Sequence, residues 1–108
     1  MAKDLTQIKE NGIFLESIKK EFSLAIYELG MSFRHGWGIE KNPDTAIHYF
    51  ELAADMGDID AQLELGYTYF VGDGVKKDLY LSAKYYKMAH AQGANIFGNS
   101  WIFKEKYN

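Results

Sequence analysis

The sequence predicts an all-α fold, a solenoid of stacked helix pairs with capping helices at its ends. Three observations carry the prediction. Residues 61–93 overlie residues 25–57 when the chain is shifted by 36 positions, and ten identities then align without a gap: Ala25, Glu28, Leu29, Gly30, Gly36, Gly38, Lys41, Tyr49, Ala53 and Gly57 recur as Ala61, Glu64, Leu65, Gly66, Gly72, Gly74, Lys77, Tyr85, Ala89 and Gly93. A fixed period in the mid-thirties marks helix pairs that cannot bury their apolar faces alone. Within each copy the apolar residues fall at helical spacing, and Gly-x-Gly elements separate the two helical stretches.

Residues 1–21 do not repeat clearly. Leu5, Ile8, Ile13, Phe14, Leu15 and Ile18 form an apolar stripe at helical spacing, which predicts one N-terminal capping helix, or two short ones divided at Asn11 and Gly12, with a degenerate earlier repeat as the alternative. The first clear unit occupies residues 22–57. Its first helix is expected from Phe22 to Arg34, with Ala25, Leu29 and Phe33 on one face and Gly30 beside them. The small residues let a neighbouring helix approach, and the large ones fill the space beyond.

The second unit, residues 58–93, repeats the device with Ala61, Leu65, Gly66 and Tyr69. Gly36-Trp37-Gly38 and Gly72-Asp73-Gly74 should stop the first helices, since glycine adopts positive φ without a steric cost. A polar connector follows, then a second helix, with Pro43 at one start and Asn42 or Asp78 available as caps. Ala46, Tyr49, Phe50 and Ala53, matched by Ser82, Tyr85, Tyr86 and Ala89, should face the first helix. Gly57 and Gly93 close the units. Residues 94–108 lack Leu-Gly at the expected place, so Ile96, Phe97, Trp101, Ile102 and Phe103 are expected to form a capping helix over the exposed end.

Composition narrows the function. Aromatics are 16% and hydrophobic residues 47% of the 108 residues, which excludes a disordered chain. The formal charge is −3 and the basic doublets are short, Lys19-Lys20 and Lys76-Lys77. Nucleic acid is therefore not the expected partner, because that binding draws on Lys and Arg meeting phosphates. There is no cysteine, hence no disulfide or thiol chemistry, which fits a reducing compartment and an expected cytoplasmic location. No apolar run approaches the roughly 20 residues of a membrane helix, and the first fifteen residues lack the pattern of a signal peptide.

The order of features, Ala, Leu-Gly, an aromatic, Gly-x-Gly, Val or Ile, a Lys-Asn or Lys-Asp step, then Tyr-aromatic, Ala and Gly, resembles the Sel1-like repeat family. It reads AIYELGMSFRHGWGIEKNPDTAIHYFELAADMG in one copy and AQLELGYTYFVGDGVKKDLYLSAKYYKMAHAQG in the other. The closing tail is similar to the ends of some fungal Sel1-like signalling regulators. The resemblance implies a right-handed α-solenoid of antiparallel helix pairs, similar to tetratricopeptide arrays, whose concave face, lined by first helices, binds proteins or peptides. It therefore implies an adaptor or scaffold. Two departures stand out: Ser82 replaces the small apolar residue of the first copy, and Glu21 stands where a leading glycine belongs.

Candidate chemistry is sparse. Phosphate-binding glycine loops follow a strand, whereas these glycines follow a helix and recur with the repeat. His35, His48 and His90 have no second ligand at metal spacing; His48 and Glu51 are three apart, without a complementary cluster. Ser23, Ser32, Ser82 and Ser100 lack a recognisable base, and Asp58, Asp60, Asp73 and Asp78 fall where acids cap helices. No enzyme, metal or cofactor is expected.

Binding residues are sought where polar positions share a face or the repeats disagree. Glu28, Ser32, Glu64 and Thr68 are expected on the floor of a groove between parallel first helices, with Arg34 and Trp37 near its rim. Such an acidic floor favours a partner segment carrying basic residues. Packing of Trp37 against the N-terminal helix is the other reading of that residue. A structural role is the alternative function, with the repeat ends stacking head to tail or forming a homodimer.

Overall fold

The computed structural model describes the backbone of residues 5–108 and the side chains of residues 15–108. The expected stripe at Leu5, Ile8, Ile13 and Phe14 therefore lies outside the described side chains. Four α-helices follow one another: α1 (Leu5–His35), α2 (Pro43–Asp55), α3 (Ile59–Val71) and α4 (Leu79–Ala91). Two short 3₁₀ turns, Ser100–Phe103 and Glu105–Tyr107, end the chain. Each helix packs on the next, α1 on α2, α2 on α3, α3 on α4, and the first 3₁₀ turn lies on α4.

The boundaries follow local chemistry. Pro43 opens α2 with Asn42 as its cap, the Asn42 side chain accepting from the Thr45 amide. Asp58 accepts from the Ala61 amide at the start of α3, and Asp78 from the Tyr80 and Leu81 amides at the start of α4. Each such cap is worth about 1 kcal/mol. Gly72 closes α3 in the left-handed conformation, at φ 77°, with its amide bonded to the Thr68 carbonyl.

α1 differs from expectation. It runs 31 residues without a break at Asn11-Gly12, so the N-terminal segment and the first repeat's leading helix are one rod. The second repeat's first helix starts behind the Asp58 cap, but the equivalent position is Phe22, which offers no side-chain acceptor. A single interior glycine costs only about 1 kcal/mol, too little to divide a long helix.

The core sits between the helices. Ala46, Ile47, Phe50, Ala53, Ala54, Ala61, Leu65, Tyr69 and Tyr85 form one buried cluster, with Ile26, Tyr27 and Phe33 packed against it. A second joins Ala83, Tyr86 and Ile102. Phe50 and Leu65 are fully buried, each worth about 1.5–3 kcal/mol of apolar transfer. Tyr69 stacks on Tyr85 as Phe33 stacks on Tyr49, with ring centroids 6.1 and 5.5 Å apart.

Ser82 is explained by the structure. Its buried hydroxyl donates to the Gly66 carbonyl at 2.6 Å. Side-chain amides also join the two units: Gln62 donates to the Ala54 carbonyl at 3.0 Å, and Gln92 to the Gly57 carbonyl and the Gln62 Oε1.

The tail closes the α4 end, but as 3₁₀ turns rather than an α-helix. Phe97 and Gly98 both take positive φ, 49° and 83°, which ends any helix there. Ile102 is fully buried, Trp101 is half-buried, and Phe97 is 77% exposed. Trp101 and Ile102 therefore provide the cover, and Phe97 does not.

Candidate functional site

α1 and α3 are the first helices of the two repeats, and α2 packs against both. Between their C-terminal ends lies a cavity of about 300 Å³. Pro43, Ala46, Ile47 and Phe50 of α2 contribute its apolar lining, and Arg34, His35, Lys41, Thr68 and Asp73 its polar lining. The small residues of the repeat make this space: Ala46 allows α1 to approach α2 while leaving little side chain to fill the gap.

Arg34 spans the mouth. One guanidinium nitrogen donates to Glu64 at 2.6 Å and to Thr68 Oγ1 at 3.2 Å, and the other donates to Asp73 at 2.7 Å. Its planar fork can satisfy acceptors on a helix and a turn at once, which an ammonium on a flexible stem does less well. Repeat geometry explains the placement. Phe70 stands 36 positions after Arg34, and it meets Trp101 of the tail at 5.5 Å, so this position joins each unit to the next.

The six residues singled out from the sequence divide into two groups. Arg34, Glu64 and Thr68 come together in one hydrogen-bonded cluster. Thr68 is buried beneath Arg34, and Glu64 is partly covered and ion-paired. Glu28 is exposed, and its carboxylate enters no ion pair among the described residues. Ser32 turns its hydroxyl back to the Glu28 carbonyl at 3.2 Å. Trp37 is 61% exposed and stacks on His35, with centroids 4.5 Å apart and planes 19° from parallel. It therefore presents an aromatic face beside the cavity.

Asp73, Lys41 and the α2 lining were not anticipated from the sequence. The signal for Asp73 was its position opposite Trp37 in the 36-residue alignment, where the repeats differ. Burial pushes the Tyr27 phenol up to about 12, with the Glu64, Asp60 and Asp58 carboxylates adding to the effect. The Tyr69 hydroxyl donates to Glu51 at 2.9 Å, and burial followed by that bond raises its pKa further. The Tyr69 phenol thus stays a neutral donor to Glu51 at neutral pH. Among the described residues, no group of three or more His, Cys, Asp or Glu is placed to hold a metal ion, and no helix is long and apolar enough to cross a membrane.

Paired helices stacked in one direction, with a cavity between successive first helices, define a right-handed α-solenoid of short repeats. A family model for the Sel1 repeat matches residues 23–58 and again residues 59–93, and the chain belongs to the Sel1 repeat family. It is 39% identical over 87 residues to the mitosis inhibitor nif1 of Schizosaccharomyces pombe, covering 80% of this chain and 13% of that protein. It is 37% identical over 86 residues to protein DSF2 of Saccharomyces cerevisiae, covering 77% of this chain and 12% of that one. The chain thus spans about an eighth of the length of these relatives.

Among solved structures, a Sel1 repeat protein from Oxalobacter formigenes superposes with a TM-score of 0.63 at 33% identity, over 77% of this chain and 64% of the other. The protective antigen c5321 of uropathogenic Escherichia coli, which displays the same repeat fold, gives a TM-score of 0.63 at 32% identity, over 67% of this chain and 15% of that one. Sel1 repeats are protein-interaction modules, and the chain carries two of them.

Proposed function

We propose that this chain is a non-catalytic adaptor or scaffold module that holds a segment of a partner protein in the groove between α1 and α3. The observation that carries the reading is the cavity of about 300 Å³ at the mouth of that groove, apolar on its α2 side and polar at its edge. Such a site accepts one apolar anchor side chain, with backbone groups of the segment meeting the polar edge. Trp37, exposed beside it, is the residue type that dominates interface energetics.

Selectivity for a basic residue rests on Glu28 in this account. Glu64 is already neutralised by Arg34, so the two carboxylates contribute unequally. A relative in Arabidopsis thaliana, 34% identical over 74 residues, is named a component of a ubiquitin-protein ligase, which supports a part played within a protein assembly. Cytoplasmic residence belongs to the same proposal.

The test is selection of displayed peptides on the immobilised chain, followed by affinity measurement against Trp37→Ala and Glu28→Lys. Selected peptides should share an apolar anchor, and Trp37→Ala should weaken them about tenfold or more. Peptides bound equally by the wild type and both variants would remove the groove from consideration.

A further inference from the structure

Charge is divided unevenly along the chain. Residues 74–108 carry six lysines against two side-chain carboxylates, Asp78 and Glu105, although the whole chain has a formal charge of −3. The repeat does not demand these cations. Lys76, Lys84 and Lys87 stand 36 positions after Glu40, His48 and Glu51, so the second unit places lysines where the first has acids or a histidine. None of the six enters an ion pair among the described residues, whereas Arg34 holds two carboxylates. Asp78 is committed to the Tyr80 and Leu81 amides as a helix cap.

The lysines surround a row of rings. Trp101 lies between Phe70 and Tyr107, with centroids 5.5 and 5.2 Å away, and Tyr107 meets Tyr80 edge-on at 5.2 Å. Tyr80 is 64% and Phe70 38% exposed. Lys77 stands over the Phe70 ring at 5.8 Å and Lys106 over the Tyr107 ring at 5.1 Å. Tyr80, Lys84 and Lys87 follow one another at spacings of four and three on α4, which puts them on one face of that helix. The row is held in place, because Lys87 donates to the Tyr107 carbonyl and to Asn108, and the Trp101 indole donates to Asn99.

We infer that this face of α4 and the tail binds an acidic segment of a partner protein, one in which Glu or Asp residues are interspersed with apolar ones. Its carboxylates meet the ammonium groups of Lys77, Lys84 and Lys106, and its apolar side chains cover the exposed parts of the rings. A surface already fixed costs little ordering on binding. Nucleic acid suits the charge but not the rings. Base stacking needs open ring faces, and Lys77 and Lys106 already stand over those of Phe70 and Tyr107, which themselves flank Trp101. The face shares no residue with the lining of the cavity, so the inference is independent of the groove.

The experiment is fluorescence anisotropy of the full chain with a labelled peptide of about twelve residues repeating Glu-Glu-Leu, beside its Gln-Gln-Leu counterpart and an oligothymidylate of equal length. The variants are Lys84→Glu with Lys106→Glu and, as a control with the same change of net charge, Lys19→Glu with Lys20→Glu at exposed positions of α1. Circular dichroism checks helicity, and Lys84→Gln with Lys106→Gln replaces the first pair should charge reversal lower it. The Glu peptide should bind saturably and weaken about tenfold or more in the Lys84, Lys106 variant, change less than about twofold in the control, and be lost progressively as salt rises. Absence of binding would overturn the inference. So would equal affinity for the Gln peptide or the oligothymidylate, or equal loss in both variant pairs. A salt-sensitive dimer of the chain alone, seen by sedimentation, would make a second copy the occupant and overturn it too.

Discussion

The ring of Phe50 lies against the backbone of Gly30, so close that a Cβ at residue 30 would stand 2.8 Å from it, and Tyr86 repeats the contact on Gly66 at 2.8 Å. The Leu-Gly step of each repeat thus exists to seat an aromatic ring from the second helix. Ring and backbone fix the spacing within each pair, and the cavity between α1 and α3 inherits that spacing.

Gly30→Ala and Gly66→Ala should therefore each destabilise the fold by about 1–3 kcal/mol, the cost of overpacking a close contact. Helix propensity alone predicts the opposite sign, a gain of about 1 kcal/mol. Urea denaturation followed by circular dichroism decides between them.

Arg34→Lys should fail to rescue what Arg34→Ala loses. An ammonium cannot reach Glu64, Thr68 and Asp73 together with the geometry of a guanidinium, and about 1–2 kcal/mol should be lost in both variants. The difference from the wild type should shrink in 1 M salt, mostly through the exposed Asp73 bond, which thermal melts at two ionic strengths will show.

Ser82→Ala places in the second repeat the residue that the first already carries. The Gly66 carbonyl then loses the buried hydroxyl at 2.6 Å, and stability should fall by about 0.5–1.5 kcal/mol. The measurement is the urea midpoint at constant slope.

Alkaline pH should unfold the protein through its phenols. Burial raises the pKa of Tyr27, to about 12, and that of Tyr69, Tyr85 and Tyr86 above the usual value of 10.0. Above pH 10 the unfolded chain loses these protons while the folded chain keeps them. Stability is thus complete below pH 10 and declines as pH rises toward the folded values. Tyrosinate absorbance should report late ionisation that coincides with loss of helicity. Ionisation of all tyrosines at pH 10 in a chain that stays helical would contradict the burial.

Much of the fold was legible because it is written twice. A 36-residue shift exposes Leu-Gly, the Gly-x-Gly turns and the aromatic positions, and Asn42, Asp58 and Asp78 cap helices as their chemistry predicts. The joints between units were less legible. Arg34 finds Glu64 and Asp73 at separations of 30 and 39 residues, and no local pattern encodes a pairing at those distances. The unbroken α1 and the 3₁₀ tail escaped for a related reason. Each depends on weak local signals, a tolerated glycine in one case and positive φ at Phe97 in the other. Of the six residues singled out, Arg34 and Thr68 line the cavity, and Glu64 joins them through the Arg34 guanidinium.

Binding in the groove is tested by an amide-shift titration of the isotope-labelled chain with a selected peptide. A segment held in the groove should give saturable shifts at Arg34, His35, Trp37, Ile47 and Thr68, around the cavity and its edge. Shifts confined to the Leu15, Phe22 and Leu29 side of α1 or to the tail, with the cavity signals unmoved, would contradict it.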